Sequence, residues 1–334
     1  MRSKLCYLVY ILTVILFLIV ISIIVSRLFI YNYYYDDNSN HVRMIIFKLP
    51  RSGSTWLTER LNSIPNVYIS KEIIQRSDTV IYDSQQQQKF LIEALNEPKG
   101  KISDQDRIIP SSRYFQDYYF HNTFKLFRKM EVLGFTLNPE HSKNVDWQSI
   151  YNHHNKVRIM VLKRGNIVKT ALSGYSGKEN KMKCGGSNTR TNSNTDCIHT
   201  KLNLTTLEFG LEIHRWLERF ENFDNFVNNI PFQKTIIFYE QLQQNFDFHI
   251  RRVFNEIGIG NIIGNKKIES KSIWMKRNPD DLRQILLNYD SIRNSLSDGN
   301  CTCLLKHFDS FEKEIFYERC KEKIFLQGKN IICQ

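Results

Sequence analysis

The run Val42 to Leu49 (VRMIIFKL) limits the possible folds of this chain more than any other segment. Its apolar residues are continuous and β-branched members are frequent. A strand with one wet face would alternate, so a continuous run belongs inside a parallel sheet covered by helices on both faces. A tight turn, Pro50 to Ser54, follows at once, and Trp56 to Leu61 opens a helix. The same order returns at Val157–Leu162 (VRIMVL), followed by helical Ile167–Leu172, and at Thr235–Tyr239 (TIIFY), followed by a helix over His249–Ile257. Val67 to Ile74 reads as a further strand. Strands alternating with helices predict an α/β fold, a parallel β-sheet flanked by helices. Residues 80–125 are polar and helix-leaning, with Gln85–Gln88 on a solvated face, and 75–156 shows no strand pattern. Ser176–Lys201 reads as a polar loop. Leu204, Leu207, Leu211, Leu217 and Phe220 fit an amphipathic helix. No internal repeat is present.

The 334 residues carry 46 Lys+Arg against 34 Asp+Glu, a formal charge of +12. Ordinary apolar and charged fractions exclude bulk disorder and collagen-like fibre. The basic excess calls for an anionic partner, which composition alone does not identify.

Leu5 to Val25 contains no charged residue over 21 positions. At about 1.5 Å per residue it spans a hydrocarbon core of about 30 Å. Arg2 and Lys4 precede it, and Tyr31, Tyr33, Tyr34 and Tyr35 follow. The positive end is expected to stay cytosolic and the tyrosines to sit at the far interface. The alternative, a cleaved signal peptide, fits less well, because the run is long and ends in Ile23, Ile24 and Val25 rather than small residues. The expected layout is a cytosolic tail (1–4), a single N-terminal transmembrane helix acting as signal anchor (5–26), a stem (27–41) and a luminal domain (42–334). Six cysteines then lie in an oxidising lumen, with 15 possible pairings, of which Cys184–Cys197 closes a polar loop. Asn203 and Asn300 are glycosylation acceptors by pattern.

The turn after the first strand reads Pro50-Arg51-Ser52-Gly53-Ser54-Thr55-Trp56. A strand–turn–helix aims backbone N–H groups at an anion. Gly53 permits close approach, Ser52, Ser54 and Thr55 offer hydroxyls, Arg51 offers a fixed charge, and Trp56 a flat face for a base. The triphosphate pattern G-x-x-x-x-G-K-[ST] is absent. The second strand ends in Lys163-Arg164-Gly165-Asn166, with Lys169, Thr170 and Ser173 on the helix beyond. A guanidinium at a strand end and a hydroxyl two turns on can grip one phosphate from two sides.

Pro50 to Leu57 resembles the 5′-phosphosulfate-binding loop of sulfotransferases that use 3′-phosphoadenosine 5′-phosphosulfate (PAPS), most closely Golgi membrane carbohydrate sulfotransferases and bacterial glycan sulfotransferases. Arg164 and Ser173 resemble the family's Arg and Ser around the nucleotide 3′-phosphate, although the spacing is nine residues here and usually eight there. Thr235–Leu242 (TIIFYEQL) and the ending Ile257-Gly258-Ile259 resemble a late, mainly architectural block of the family, in which Glu240 reads as an ion-paired structural carboxylate. The resemblance implies a P-loop-like sulfotransferase fold, PAPS as sulfuryl donor without a metal, and a hydroxyl or amine of a glycan or glycoconjugate as acceptor. It implies a single-pass type II Golgi membrane protein with a luminal catalytic domain. Arg51 is the expected cation beside the leaving oxygen and Glu72 the expected base. His121, His141, His153 and His154 are rival bases.

Lys178, Lys181, Lys183 and Arg190 suit an anionic glycan, and Lys271, Lys276 and Arg277 around Trp274 suit a lid. A non-catalytic anionic-glycan-binding protein and a phosphoryl-transferring kinase are the alternatives, the second lacking a P-loop Lys. Nucleic acid is the least favoured partner.

Overall fold

The computed structural model describes residues 21–22, 42–72, 84–96, 131–184, 201–264, 268, 281–310, 320, 322–327 and 330–334. The chain divides into two compact units, Met1–His41 and Val42–Gln334. In the first, Ile21 and Ser22 are helical, and the rest of the expected anchor and stem lies outside the described residues. Among the described residues no helix is long and apolar enough to cross a membrane.

In the second unit, β1 (Val42–Lys48), β2 (Val67–Glu72), β3 (Val132–Leu137), β4 (Arg158–Lys163) and β5 (Lys234–Phe238) form one sheet in the order β2-β3-β1-β4-β5. Every pairing is parallel. The helices are α1 (Ser54–Asn62), α2 (Ser84–Asn96), α3 (Trp147–His153), α4 (Ile167–Cys184), α5 (Thr206–Asn229), α6 (Tyr239–Gln244), α7 (Phe246–Glu256), α8 (Gly260–Ile263), α9 (Leu282–Ile285), α10 (Tyr289–Asp298) and α11 (Thr302–Asp309).

The pleat sends Ile45 and Phe47 into one apolar layer and Met44 and Ile46 into the other. Leu57 and Leu61 of α1 and Ile250, Val253 and Phe254 of α7 complete the second layer. Ile167, Val168, Ala171 and Leu172 of α4, with α5, complete the first. The central strand is therefore dry on both faces, as its composition requires.

Several elements differ from expectation. β3 falls in the stretch that shows no pattern, and it lies between β1 and β2. Its Gly134 interrupts the apolar signal, because Met44 O of β1 leaves no room there for a β-carbon. Helix α4 runs on to Cys184, so residues 176–184 of the expected loop are helical, and 185–200 lie outside the described residues. On α5 the buried face is Phe209, Ile213, Trp216, Phe220, Phe223 and Val227, whereas Leu207 and Leu211 are 39% and 52% exposed. Leu217 and Phe220 meet the core as expected, but the aromatics Phe209, Trp216 and Phe223 take the places expected of Leu207 and Leu211. A C-terminal hairpin of β6 (Ile324–Gln327) and β7 (Asn330–Cys333) packs Leu326 and Ile331 onto Gly210 of α5.

Disulfides join Cys301 to Cys333 and Cys303 to Cys320. Cys197, and with it the expected bridge to Cys184, lies outside the described residues.

The β1–β3 contact gives a direct test. Gly134→Ala should destabilise the fold by about 2–3 kcal/mol, the cost of overpacking against a neighbour that is backbone. Its denaturant midpoint should fall without loss of secondary structure at low denaturant.

Candidate anion site at the strand ends

The C-terminal ends of β1 and β4 are adjacent in the sheet, with Lys48 paired to Leu162. The turn after β1 is tight: Arg51 and Gly53 are left-handed, with φ of 64° and 83°. For Arg51 this conformation is uncommon and has to be held by its surroundings. Ser52, buried, donates from Oγ to Leu49 O at 2.7 Å and closes the turn. Gly53 is the N-cap of α1, no side chain caps that helix among the described residues, and its first turn has no acidic residue. The opening N–H groups of α1, beside Ser54 and Thr55, are thus left without a capping side chain among the described residues, an arrangement that favours an anion.

Arg164 reaches across from the end of β4. Its Nη1 donates to Arg51 O at 3.0 Å, which ties the two strand-end turns together and holds Arg51 in place. The guanidinium lies over the Tyr239 ring, 5.4 Å from its centroid. The same ring covers Gly53 and leaves no space there for a β-carbon. The Arg51 side chain lies against Gly177 on α4, again with no space for a β-carbon. Ser173 is one turn earlier on the same face of α4, so Arg51 and Ser173 share a helix face.

The amides after β4 are closed to a ligand. Gly165 N–H donates to Glu240 Oε2 at 3.0 Å and Asn166 N–H to Oε1 at 3.1 Å. Ile167 N–H donates to His307 Nδ1 at 3.3 Å, and Lys169 N–H to Asn166 Oδ1 at 2.9 Å. Asn166 Nδ2 donates to His307 O and Ser310 Oγ. Of the two helix starts, α1 is open and α4 is covered.

The remaining candidates are placed as follows. Trp56 packs edge-on against Tyr239 and Phe246, with the Arg60 guanidinium 5.3 Å from its ring. Lys163 Nζ pairs with Asp224 Oδ1 at 2.8 Å, so its charge serves α5. Glu72 ends β2, two strands from β1, roughly 10 Å away by strand spacing. His153 and His154 precede β4 and so lie at the opposite end of the sheet, whereas His141 follows β3 at the site's end. His121, Arg190, Lys271, Trp274, Lys276 and Arg277 lie outside the described residues.

Cys303, His307 and Cys320 place three potential metal-ligand atoms within 4.8 Å of one another. The two sulfurs are joined to each other, and His307 Nδ1 accepts the Ile167 N–H, which leaves the ring proton of the neutral imidazole on Nε2. This arrangement does not fit a resident metal.

The contributions of Tyr239, Glu240, Gly177, Asn166 and His307 do not follow from the spacing of the motifs. Only the dipeptide Tyr239-Glu240 gives a sequence signal, two polar groups at a strand end.

No protein-family model matches the chain, and no curated protein matches it. Solved structures overlap it loosely. They include a sulfotransferase from Alicyclobacillus acidocaldarius at 12% identity and TM-score 0.35, covering 80% of this chain and 94% of that one. A mouse sulfotransferase complexed with PAP overlaps at 14% and 0.33, covering 65% and 58%. A sulfotransferase from Mycobacterium avium overlaps at 14% and 0.32, covering 86% and 84%. At overlaps this loose no chemistry is transferred, and the site is read from its own residues.

Two outcomes follow from this geometry. Gly177→Ala should leave the melting temperature unchanged or slightly higher, since Ala is the better helix former by about 1 kcal/mol. It should nonetheless weaken anion binding severalfold in a salt-dependent titration by displacing the Arg51 side chain. Burial, with a smaller contribution from Lys306, lowers the His307 pKa from 6.5 to about 4. The unfolded chain then binds the extra proton first as pH falls, so stability should be full above pH 6.5 and decline towards pH 4. The decline is roughly 1.4 kcal/mol per pH unit at most, and His307→Gln should flatten it in pH-dependent denaturation.

Proposed function

We propose that this protein is a PAPS-dependent sulfotransferase acting on a hydroxyl or amine of a glycan or glycoconjugate. One observation carries the reading: two arginines, Arg51 and Arg164, are tied together at adjacent strand ends beside an uncapped helix start. This gives two anion-binding arms, which suits a nucleotide with a charged group on both sides of its ribose. A triphosphate–magnesium site would need the missing P-loop Lys.

The residues fit such a donor. The open N–H groups of α1, with Ser54 and Thr55, hold the 5′ group, and Arg164 with Ser173 holds the 3′-phosphate. Ser52 builds the turn, Gly53 leaves room for Tyr239, and Trp56 packs the loop in place. The bound donor supplies the sulfuryl group. Arg51 stabilises negative charge that develops on the leaving oxygen, and its contact with Gly177 keeps the guanidinium on the helix face that carries Ser173. Glu72, at the same end of the sheet, accepts the proton from the acceptor hydroxyl.

The proposed setting is a single-pass type II Golgi membrane protein. The uncharged run at 5–25 and the preceding Arg2 and Lys4 support it, and the two disulfides fit an oxidising lumen. The basic residues beyond the two arms suit an anionic acceptor.

The full chain in detergent, incubated with sulfur-labelled donor and a panel of glycans, should transfer label. Arg51→Ala should reduce turnover by about a hundredfold or more, the scale of losing one transition-state charge partner, while nucleotide binding falls much less. Retained glycan binding without transfer by the wild type would instead identify a non-catalytic binding protein.

A further inference from the structure

Glu240 is the feature of the site whose role the reading above leaves open. It is a carboxylate placed inside a region read as an anion site, where a free negative charge would oppose the ligand. Each of its oxygens accepts one backbone amide, Oε2 from Gly165 and Oε1 from Asn166. Two consecutive amides on one carboxylate fix its plane and position. So held, Oε1 stays 4.0 Å from Arg164 Nε, too far for a hydrogen bond, and Nε is buried without a hydrogen-bond partner among the described residues. The carboxylate therefore fixes the segment that carries Arg164 and pairs with its charge at 4.0 Å, without a hydrogen bond onto the guanidinium. Tyr239, the preceding residue, supports the guanidinium from the ring side, and Arg51 O takes one of its five N–H donors.

We infer that Glu240 is a positioning residue that fixes Arg164 as a second phosphate arm, and that it thereby sets the preference of the site for a nucleotide phosphorylated on both sides of the ribose. The inference rests on the nucleotide reading proposed above. A role through charge alone predicts the opposite effect, since neutralising Glu240 would then tighten anions.

The test compares adenosine 3′,5′-bisphosphate with adenosine 5′-monophosphate as ligands of the full chain, by calorimetry. Glu240→Gln presents an NH2 group to one of the two amides, and should weaken the bisphosphate roughly tenfold while changing the monophosphate less than twofold. In an Arg164→Ala background the same substitution should add nothing, because its effect runs through Arg164. Glu240→Asp, which keeps the charge but withdraws the acceptors, should show the same selective loss and carries the test if Glu240→Gln does not fold. Equal weakening of both ligands, an unchanged bisphosphate or a tighter one would overturn the inference. A wild-type chain with no preference for the bisphosphate would overturn the nucleotide reading itself, a result distinct from any effect of Glu240.

Discussion

Burial of β1 on both faces is the constraint on which the rest depends. Met44, Ile45, Ile46 and Phe47 are all fully buried, so the strand must lie between two layers of helices and between two neighbouring strands. Its chain then leaves the sheet at one place only, the C-terminal edge, and the turn that follows has to reverse direction within a few residues. Arg51 and Gly53 take left-handed conformations there. The open end of α1 is the outcome of that reversal. β4 leaves the sheet beside it, which puts Arg164 within reach of the Arg51 carbonyl.

The two helix starts at this edge meet the same physical demand in opposite ways. The first N–H groups of a helix need acceptors. At α4 the protein supplies them from Glu240, His307 and Asn166. At α1 no side chain among the described residues does so. The difference distinguishes the two helix starts more sharply than the presence of a basic residue, since both turns carry one. The same logic sorts the lysines, because Lys163 is taken up by Asp224 although it is Arg164's direct neighbour.

The parts of this arrangement that were legible in sequence are the local ones. β1, β4 and β5 announce themselves as apolar runs, and the loop Pro50 to Trp56 as a turn between strand and helix. β3 did not, because Gly134 and Thr136 break the run while the strand is still central enough to need burial. Of the expected stripe, Leu204, Leu217 and Phe220 do meet the core, whereas Leu207 and Leu211 are exposed, since Phe209, Ile213 and Trp216 complete the buried face of α5. Glu240 was readable as a structural carboxylate. Its acceptance of two amides was not, because nothing in the spacing says which turn, 75 residues away, the carboxylate will meet.

The bonds that complete the site join distant parts of the chain: Arg164 to Arg51 across 113 residues, Asn166 to Glu240 across 74, and Asn166 to Ser310 across 144. Closing loops of this length is entropically costly and comes late relative to local helix formation. No short segment of the chain holds both arms, and the turn after β4 is shaped by Glu240 and Ser310, which follow Asn166 by 74 and 144 residues. Nascent or misassembled chains would contain the loop motif but lack the finished grip. On the nucleotide reading proposed above, capture on an immobilised bisphosphate would act as a proofreading step for native topology, retaining chains in which the C-terminal third has docked and passing those in which only the first strand and helix have formed.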